Sequence, residues 1–239
     1  MRNYIKILPI LLFLISGGHL AAQELQQIEF TVYGQHPIRS DIEYLPVGKE
    51  AIDAGAKAEE PIAIRSHSLT RIGPYTFKGG RSIPFYDTLT KELVGGVTLP
   101  SNSKKWLFVF VKNTLYENDP ENQLKYKIYP FDDSRQNLPK NGLVFLDFSK
   151  MELSGTVGDR KVDLASGESE PFRIEERLKI SLWTPGVYRQ KMLPAHIKNY
   201  RFKPNHRYLM ILFPPVLKGS ADADVRFLAE SLKRTEDKR

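Results

Sequence analysis

Two runs in this chain are apolar without interruption, and both are short. Trp106, Leu107, Phe108, Val109, Phe110 and Val111 form one; Tyr208, Leu209, Met210, Ile211, Leu212 and Phe213 form the other. A run of that length, aromatic and aliphatic with no polar alternation, suits a strand covered on both faces. Elsewhere apolar and polar positions alternate. At residues 124–128, Leu124, Tyr126 and Ile128 fall on one side, while Lys125, Lys127 and Tyr129 fall on the other. This is the period of a strand with one wet face. Together with residues 143–148, the runs at 106–111 and 124–128 read as the heart of one sheet.

The same patterns, bounded by Gly, Pro, Asn or Asp, predict further strands at residues 27–33, 62–66, 75–78, 82–86, 94–99, 153–157, 162–164, 172–174, 178–183 and 187–192. Gly79-Gly80 reads as a tight hairpin turn, because both glycines accept positive φ. Pro84 has no N–H to give to a ladder, which places its strand on an edge. Residues 36–61 are poor in large apolar side chains and read as a long connection, with a short extended piece at 42–45 and one helical turn at 51–58 that nothing apolar anchors. The stretch 225–232 fits either a helix or a strand, and the strand is preferred.

About a dozen short strands, with turn signals roughly every 8–12 residues and little or no helix, define an all-β chain. The expected fold is an antiparallel β-sandwich, immunoglobulin-like or jelly-roll-like, because each strand has an apolar face to bury. No repeat is visible in the sequence and no Ser/Gly linker divides it. Residues 23–239 therefore read as a single β-sandwich domain, with 115–123 as the boundary if there are two lobes.

The first residues bear on location. Arg2 and Lys6 precede an apolar stretch at 7–15, and Ala21-Ala22 supplies small residues before Gln23. That is the pattern of a cleavable signal peptide, residues 1–22, cut after Ala22. The apolar stretch is too short to span a bilayer, which takes about 20 residues, and no later stretch is long enough. The expected location is periplasmic or secreted. The chain has no cysteine, which excludes a lipid anchor at the cleavage site and all thiol, disulfide and Cys-ligated metal chemistry.

The charge distribution is more informative than the formal net charge of +7. From Arg177 to Ser220 there is no Asp or Glu, but there are nine cations: Arg177, Lys179, Arg189, Lys191, Lys198, Arg201, Lys203, Arg207 and Lys218. The remainder of the mature chain is thus acidic overall. Trp183, Tyr188, Tyr200, Phe202 and Tyr208 interleave with these cations. Cations draw in anionic groups at long range and aromatic faces stack at short range. The stretch therefore predicts a surface for an anionic envelope polysaccharide, with Arg189, Lys191, Lys198, Tyr200, Arg201, Lys203 and Arg207 as its candidate residues. The plainer reading is that these cations solvate strand faces and pair with carboxylates such as Glu175 and Glu176. Another envelope protein is the alternative partner, and export argues against nucleic acid.

Asp132, Asp133 and Asp147 are the carboxylates that a small carbohydrate-active enzyme on this scaffold would use. Asp-Asp-Ser after Pro130 is equally what a turn requires, and too few oxygen ligands are visible for calcium. The mature chain's histidines, His36, His67, His196 and His206, lack metal-ligand spacing. No nucleophile-elbow, P-loop or dinucleotide glycine motif occurs. No cofactor or metal is expected. The function expected from these observations is non-catalytic binding or structure in the bacterial cell envelope, with the enzyme as the alternative.

The run from Tyr126 to Ser134, Tyr-Lys-Ile-Tyr-Pro-Phe-Asp-Asp-Ser, is followed by Leu138-Pro139, by Gly142 before a strand ending Asp147-Phe148-Ser149, and by Gly158 and Gly167-Glu168. This stretch, Tyr126 to Glu170, resembles a segment of uncharacterised exported bacterial β-sandwich proteins. The resemblance implies export and a β-sandwich, and carries over no activity or catalytic residue.

Overall fold

The computed structural model describes residues 25–116, 118, 119, 121, 123–186 and 191–232. The signal peptide read at 1–22, Tyr188, Arg189, most of the strand read at 187–192 and the tail at 233–239 lie outside them. In chain order the elements are β1 (Gln26–Gly34), β2 (Ile38–Tyr44), α1 (Lys49–Asp53), β3 (Ile62–Ser66), β4 (Ile72–Gly79), β5 (Ser82–Asp87), β6 (Leu93–Thr98), β7 (Lys105–Lys112) and β8 (Tyr126–Asp132). They continue with β9 (Gly142–Asp147), β10 (Leu153–Val157), β11 (Arg160–Leu164), β12 (Gly167–Glu168), β13 (Phe172–Arg173), β14 (Arg177–Pro185), β15 (Met192–Arg201), β16 (His206–Phe213) and β17 (Asp224–Ser231). The chain is all-β, and among the described residues the strands form four sheets.

We number the sheets by their place in the stack. Sheet I has the order β3-β2-β5-β6, sheet II β4-β1-β7-β8, sheet III β12-β9-β16-β17 with β13 also on β9, and sheet IV β11-β10-β14-β15. Most pairings are antiparallel; β1–β7 and β9–β16 are parallel. Three apolar layers separate the four sheets. Phe30, Phe77, Phe85, Trp106, Phe108 and Phe110 lie between sheets I and II. Leu107, Val109, Val144, Leu146, Leu209 and Ile211 lie between II and III. Phe145, Leu153, Ile180, Leu182, Met210 and Leu212 lie between III and IV. Alternation along β7 sends Trp106, Phe108 and Phe110 one way and Leu107 and Val109 the other, and β16 divides its side chains likewise. Both uninterrupted apolar runs are therefore doubly covered strands.

The two halves repeat one topology. Strands β1–β8 and β9–β17 correspond in order, with β12 and β13 together standing for β4, and the sheet orders match strand for strand. Registers extend the match to single residues. Trp106 lies beside Phe30 and opposite Asp132, as Tyr208 lies beside Leu143 and opposite Ala229. Lys105 and Arg207 thus occupy equivalent positions, and so do Asp133 and Glu230. Because β8 pairs with β7, residues 115–123 fall inside the first half, and the chain passes between the halves in the connection from β8 to β9.

At one end of the II–III layer the halves are joined by a buried ion network. Asp133 Oδ2 accepts from Arg71 Nη1 at 2.7 Å and from Arg207 Nη2 at 3.1 Å. Arg207 Nη1 donates to the Asp133 carbonyl at 2.7 Å, and its Nε donates to Glu230 Oε2 at 2.7 Å. Arg207 is 5% exposed and Asp133 7%. Burial pushes the Asp133 carboxyl up from its ordinary range, and the two guanidiniums oppose that push.

Several local expectations are revised by the pairing. The runs at 106–111 and 124–128 share sheet II, but 143–148 belongs to sheet III, so the three strands face each other across a layer. Gly79-Gly80 carries the chain from β4 in sheet II to β5 in sheet I, because the pairing partners of these strands are β1 and β6. Pro84 lies in an interior strand, but β2 reaches only Tyr86 and Asp87 of β5; Pro84 has its ladder neighbour, Gly96, on the β6 side alone. The connection read at 36–61 contains β2, whose Ile38, Ile42 and Tyr44 are buried, and Ala51 of α1 is buried too. The second strand is shifted to 126–132 and passes through Pro130, which the edge position of β8 tolerates. Of the stretch 225–232, residues 225–231 adopt the strand alternative, within β17, and Leu232 follows it.

Replacing Asp133 by Ala takes the shared carboxylate from both arginines and is expected to cost about 3–5 kcal/mol in urea unfolding. Arg71→Ala should cost less, since Asp133 keeps Arg207. Equal losses for the two would show that Asp133 is not the hub.

Candidate functional site

The cations of the stretch from Arg177 to Ser220 are distributed by strand alternation. Leu178, Ile180 and Leu182 of β14 turn toward the III–IV layer, so Arg177, Lys179, Ser181 and Trp183 turn outward. Register then assembles rows across sheet IV. Arg177 stands opposite Arg201 and Lys179 opposite Asn199. Ser181 lies between Thr156 of β10 and Ile197 of β15, and Thr156 is flanked by Lys161 of β11. Trp183 lies beside Ser154, which is opposite Asp163.

The outward face of sheet IV therefore carries Lys161, Arg177, Lys179 and Arg201, with half-buried Trp183 and exposed Ile197 beside them and the exposed carboxylate of Asp163 on the row of Trp183. From Arg177 to Trp183 it runs about 20 Å at ~3.3 Å per residue. Two like charges directly opposite in a ladder destabilise it. Here Glu176 relieves Arg201 through a 3.0 Å ion pair, and both partners are exposed, so this pair is worth ~1 kcal/mol at most. Gly155 permits the close approach of β10 to β14: a Cβ there would collide with the Ser181 carbonyl.

The seven residues singled out from sequence do not form one patch. Among the described ones, Arg201 alone is carried by a strand of this outward face. Lys198 projects from the other face of the edge strand β15, with Nζ 5.4 Å from the centre of the Tyr200 ring. Tyr200 is half-buried against Phe202 and Phe227, and its hydroxyl is 2.8 Å from His196 Nε2. Burial pushes Tyr200 up to about 12 and holds His196 below its ordinary value, with Lys198 adding to the latter shift. Tyr200 is thus a lid on the core, not an open stacking platform. Lys191 is exposed just before β15, and Lys203 is exposed just after it. Arg207 is buried in the ion network, where its charge is already matched. Arg189 lies outside the described residues.

Lys161 was missed because it precedes the basic stretch. Its signal was the alternation of Lys161, Val162, Asp163 and Leu164, which turns Lys161 outward.

The candidate catalytic carboxylates do not converge. Asp132 Oδ1 accepts from Ser103 Oγ at 2.7 Å and from the Ser134 N–H at 2.9 Å. Asp133, the next residue, turns to the opposite side and is held by Arg71 and Arg207. Asp147 lies opposite Leu212, five residues along β16 from Arg207, or about 16 Å away at ~3.3 Å per residue. Paired carboxylates in glycoside hydrolysis stand about 5–9.5 Å apart. Among the described residues no group of three His, Asp or Glu side chains could hold a metal ion.

Asp147 is 1% exposed; its Oδ1 accepts the Ser149 N–H at 2.8 Å, and its Oδ2 has no hydrogen-bond partner. Burial raises its pKa above the ordinary 3.8. The protonated form is favoured by folding, so this group's stabilising contribution is present below the unfolded value and is lost as pH rises through the folded one. Asp147→Asn should therefore gain stability relative to the native protein as pH rises from about 4 toward neutrality. A difference in melting temperature that stays constant over that range would contradict this.

No protein-family model matches the chain, and no curated protein matches it, so the reading of these surfaces rests on their own chemistry.

Proposed function

We propose that this is a non-catalytic, exported binding protein of the bacterial cell envelope that lays an anionic polysaccharide along the outward face of sheet IV. The observation that carries the proposal is the row geometry there. Arg177, Lys179 and Arg201 stand on adjacent rows of one face, with Lys161 two strands away, Trp183 near the end of β14, and Asp163 of β11 on the row of Trp183. An extended polyanion can follow such a face and meet several cations in succession, each neutralising a carboxylate, sulfate or phosphate group. Trp183 and Ile197 supply apolar surface against sugar rings. The separation of Asp132, Asp133 and Asp147 supports binding over hydrolysis, and the leader read at residues 1–22 supports export.

Binding of an acidic polysaccharide to the purified protein should weaken steeply as salt rises, since exposed charges are screened within about 8 Å at physiological ionic strength. Arg177→Glu combined with Lys179→Glu should lower affinity at least tenfold, a loss of about 1.4 kcal/mol, with the melting temperature little changed. Retention of affinity in that double variant, or binding indifferent to salt, would refute the assignment to this face.

A further inference from the structure

The ion network that joins the halves borders a cleft of about 320 Å3. Strand alternation explains which residues reach it. Along β1, Phe30 and Val32 enter the I–II layer, so Glu29, Thr31 and Tyr33 turn toward sheet III. Lys105 of β7 stands beside Glu29, and Glu230 of β17 shares its side of the strand with Leu228. Asp133 follows β8, its N–H donating to the Lys105 carbonyl at 3.0 Å. Leu69, Thr70 and Arg71, in the segment entering β4, complete the wall.

Two polar atoms of lining residues lack a partner. Asp133 is 7% exposed; its Oδ2 receives both guanidiniums, but its Oδ1 is buried and has no hydrogen bond among the described residues. Thr31 Oγ1 is likewise buried and unbonded. Both residues line the cleft. A buried polar atom left unbonded costs free energy, which a partner from outside the chain would recover. The charges, by contrast, are matched in pairs. Arg71 and Arg207 are shared between Asp133 and Glu230, and Lys105 lies 3.9 Å from Glu29. Among the described residues Arg71 reaches the acids through Nη1 alone, which leaves Nε and Nη2 as donors for a ligand.

We propose that this cleft binds a neutral sugar, a single ring whose hydroxyls are held by Asp133, Arg71 and Thr31. The pairing of the charges selects a neutral ligand. A free anion or cation would meet groups that already have partners, and would give up its own hydration for little return. A hydroxyl loses less, and it both donates and accepts. One hydroxyl donates to Asp133 Oδ1 and accepts from Arg71, and these bonds are strengthened by the charge on the protein side. A second meets Thr31 Oγ1. Leu69, which is 69% exposed, and Leu228 supply apolar surface to the C–H groups of the ring. The volume lies at the lower end of the roughly 300–1,000 Å3 usual for small-molecule sites. The site is separate from the face of sheet IV, and neither depends on the other.

The test is titration of the purified protein, by calorimetry and ligand-observed NMR, with glucose, galactose, mannose and N-acetylglucosamine, and with glycine and acetate as charged controls. At least one sugar should bind, more tightly than either control. Its affinity should be indifferent to salt, unlike that of a polyanion on sheet IV. Asp133→Asn disturbs the ion network, so the deciding variant is Thr31→Val, which keeps the shape and removes only a hydroxyl that has no partner in the chain. It should leave the melting temperature unchanged or raise it, while weakening sugar binding about fivefold or more. A structural role for Thr31 would give the opposite pattern. Arg177→Glu with Lys179→Glu should leave the sugar's affinity untouched, which separates this site from the polymer-binding face. Absence of binding by all four sugars, tighter binding of glycine or acetate, a steep salt dependence, or affinity unmoved by Thr31→Val would overturn the proposal.

Discussion

The double coverage of β7 and β16 is the constraint on which the molecule depends. Each strand is apolar on both sides, so each must have a sheet in front of it and another behind. One sandwich covers only the inner face of such a strand. Stacking two sandwiches back to back covers the remaining faces of both strands at once, through the layer of Leu107, Val109, Leu209 and Ile211. The parallel neighbours β1 and β9 share this position, and Leu143, Val144, Phe145 and Leu146 are buried accordingly. Parallel pairs with covered faces belong in just such interiors.

The II–III layer is apolar along its length but ends differently on its two sides. At one end, equivalent positions of the two halves supply Lys105 and Arg207, Asp133 and Glu230, and Arg71 joins them. Arg207 and Asp133 are withdrawn from solvent and matched, which fixes how one half sits on the other. At the opposite end Lys112, Lys127 and Lys150 stand around the stacked rings of Tyr129 and Phe148. The two ends of one interface are thus built differently, with an ion network joining the halves at one and the stacked rings of Tyr129 and Phe148 at the other.

The basic stretch from Arg177 to Ser220 illustrates how a linear cluster is divided by folding. Neighbours in a strand point to opposite faces, so Arg201 looks outward while Tyr200 packs on Phe227, and Arg207 enters the junction while Tyr208 enters the core. The hairpin β14–β15 nevertheless restores part of the cluster, because its register places Arg177 against Arg201. A residue distant in sequence completes the candidate surface, since Lys161 joins the face of sheet IV.

The sequence alone determined the all-β class, most strand positions and the double burial of the two apolar runs, because these follow from side-chain period and turn chemistry, which are local. It also determined that a basic segment exists. Which strands pair, the distribution of sheets into four layers, the repetition of one topology in both halves, and the separation of Asp133 from Asp147 were decided by tertiary structure. Long-range pairing depends on register and on the burial of faces between elements far apart in the chain, and neither leaves a periodic trace. For the same reason the stacking of Tyr129 on Phe148 was not legible beforehand. Its residues look like ordinary wet-face and strand-end positions until sheets II and III are brought together.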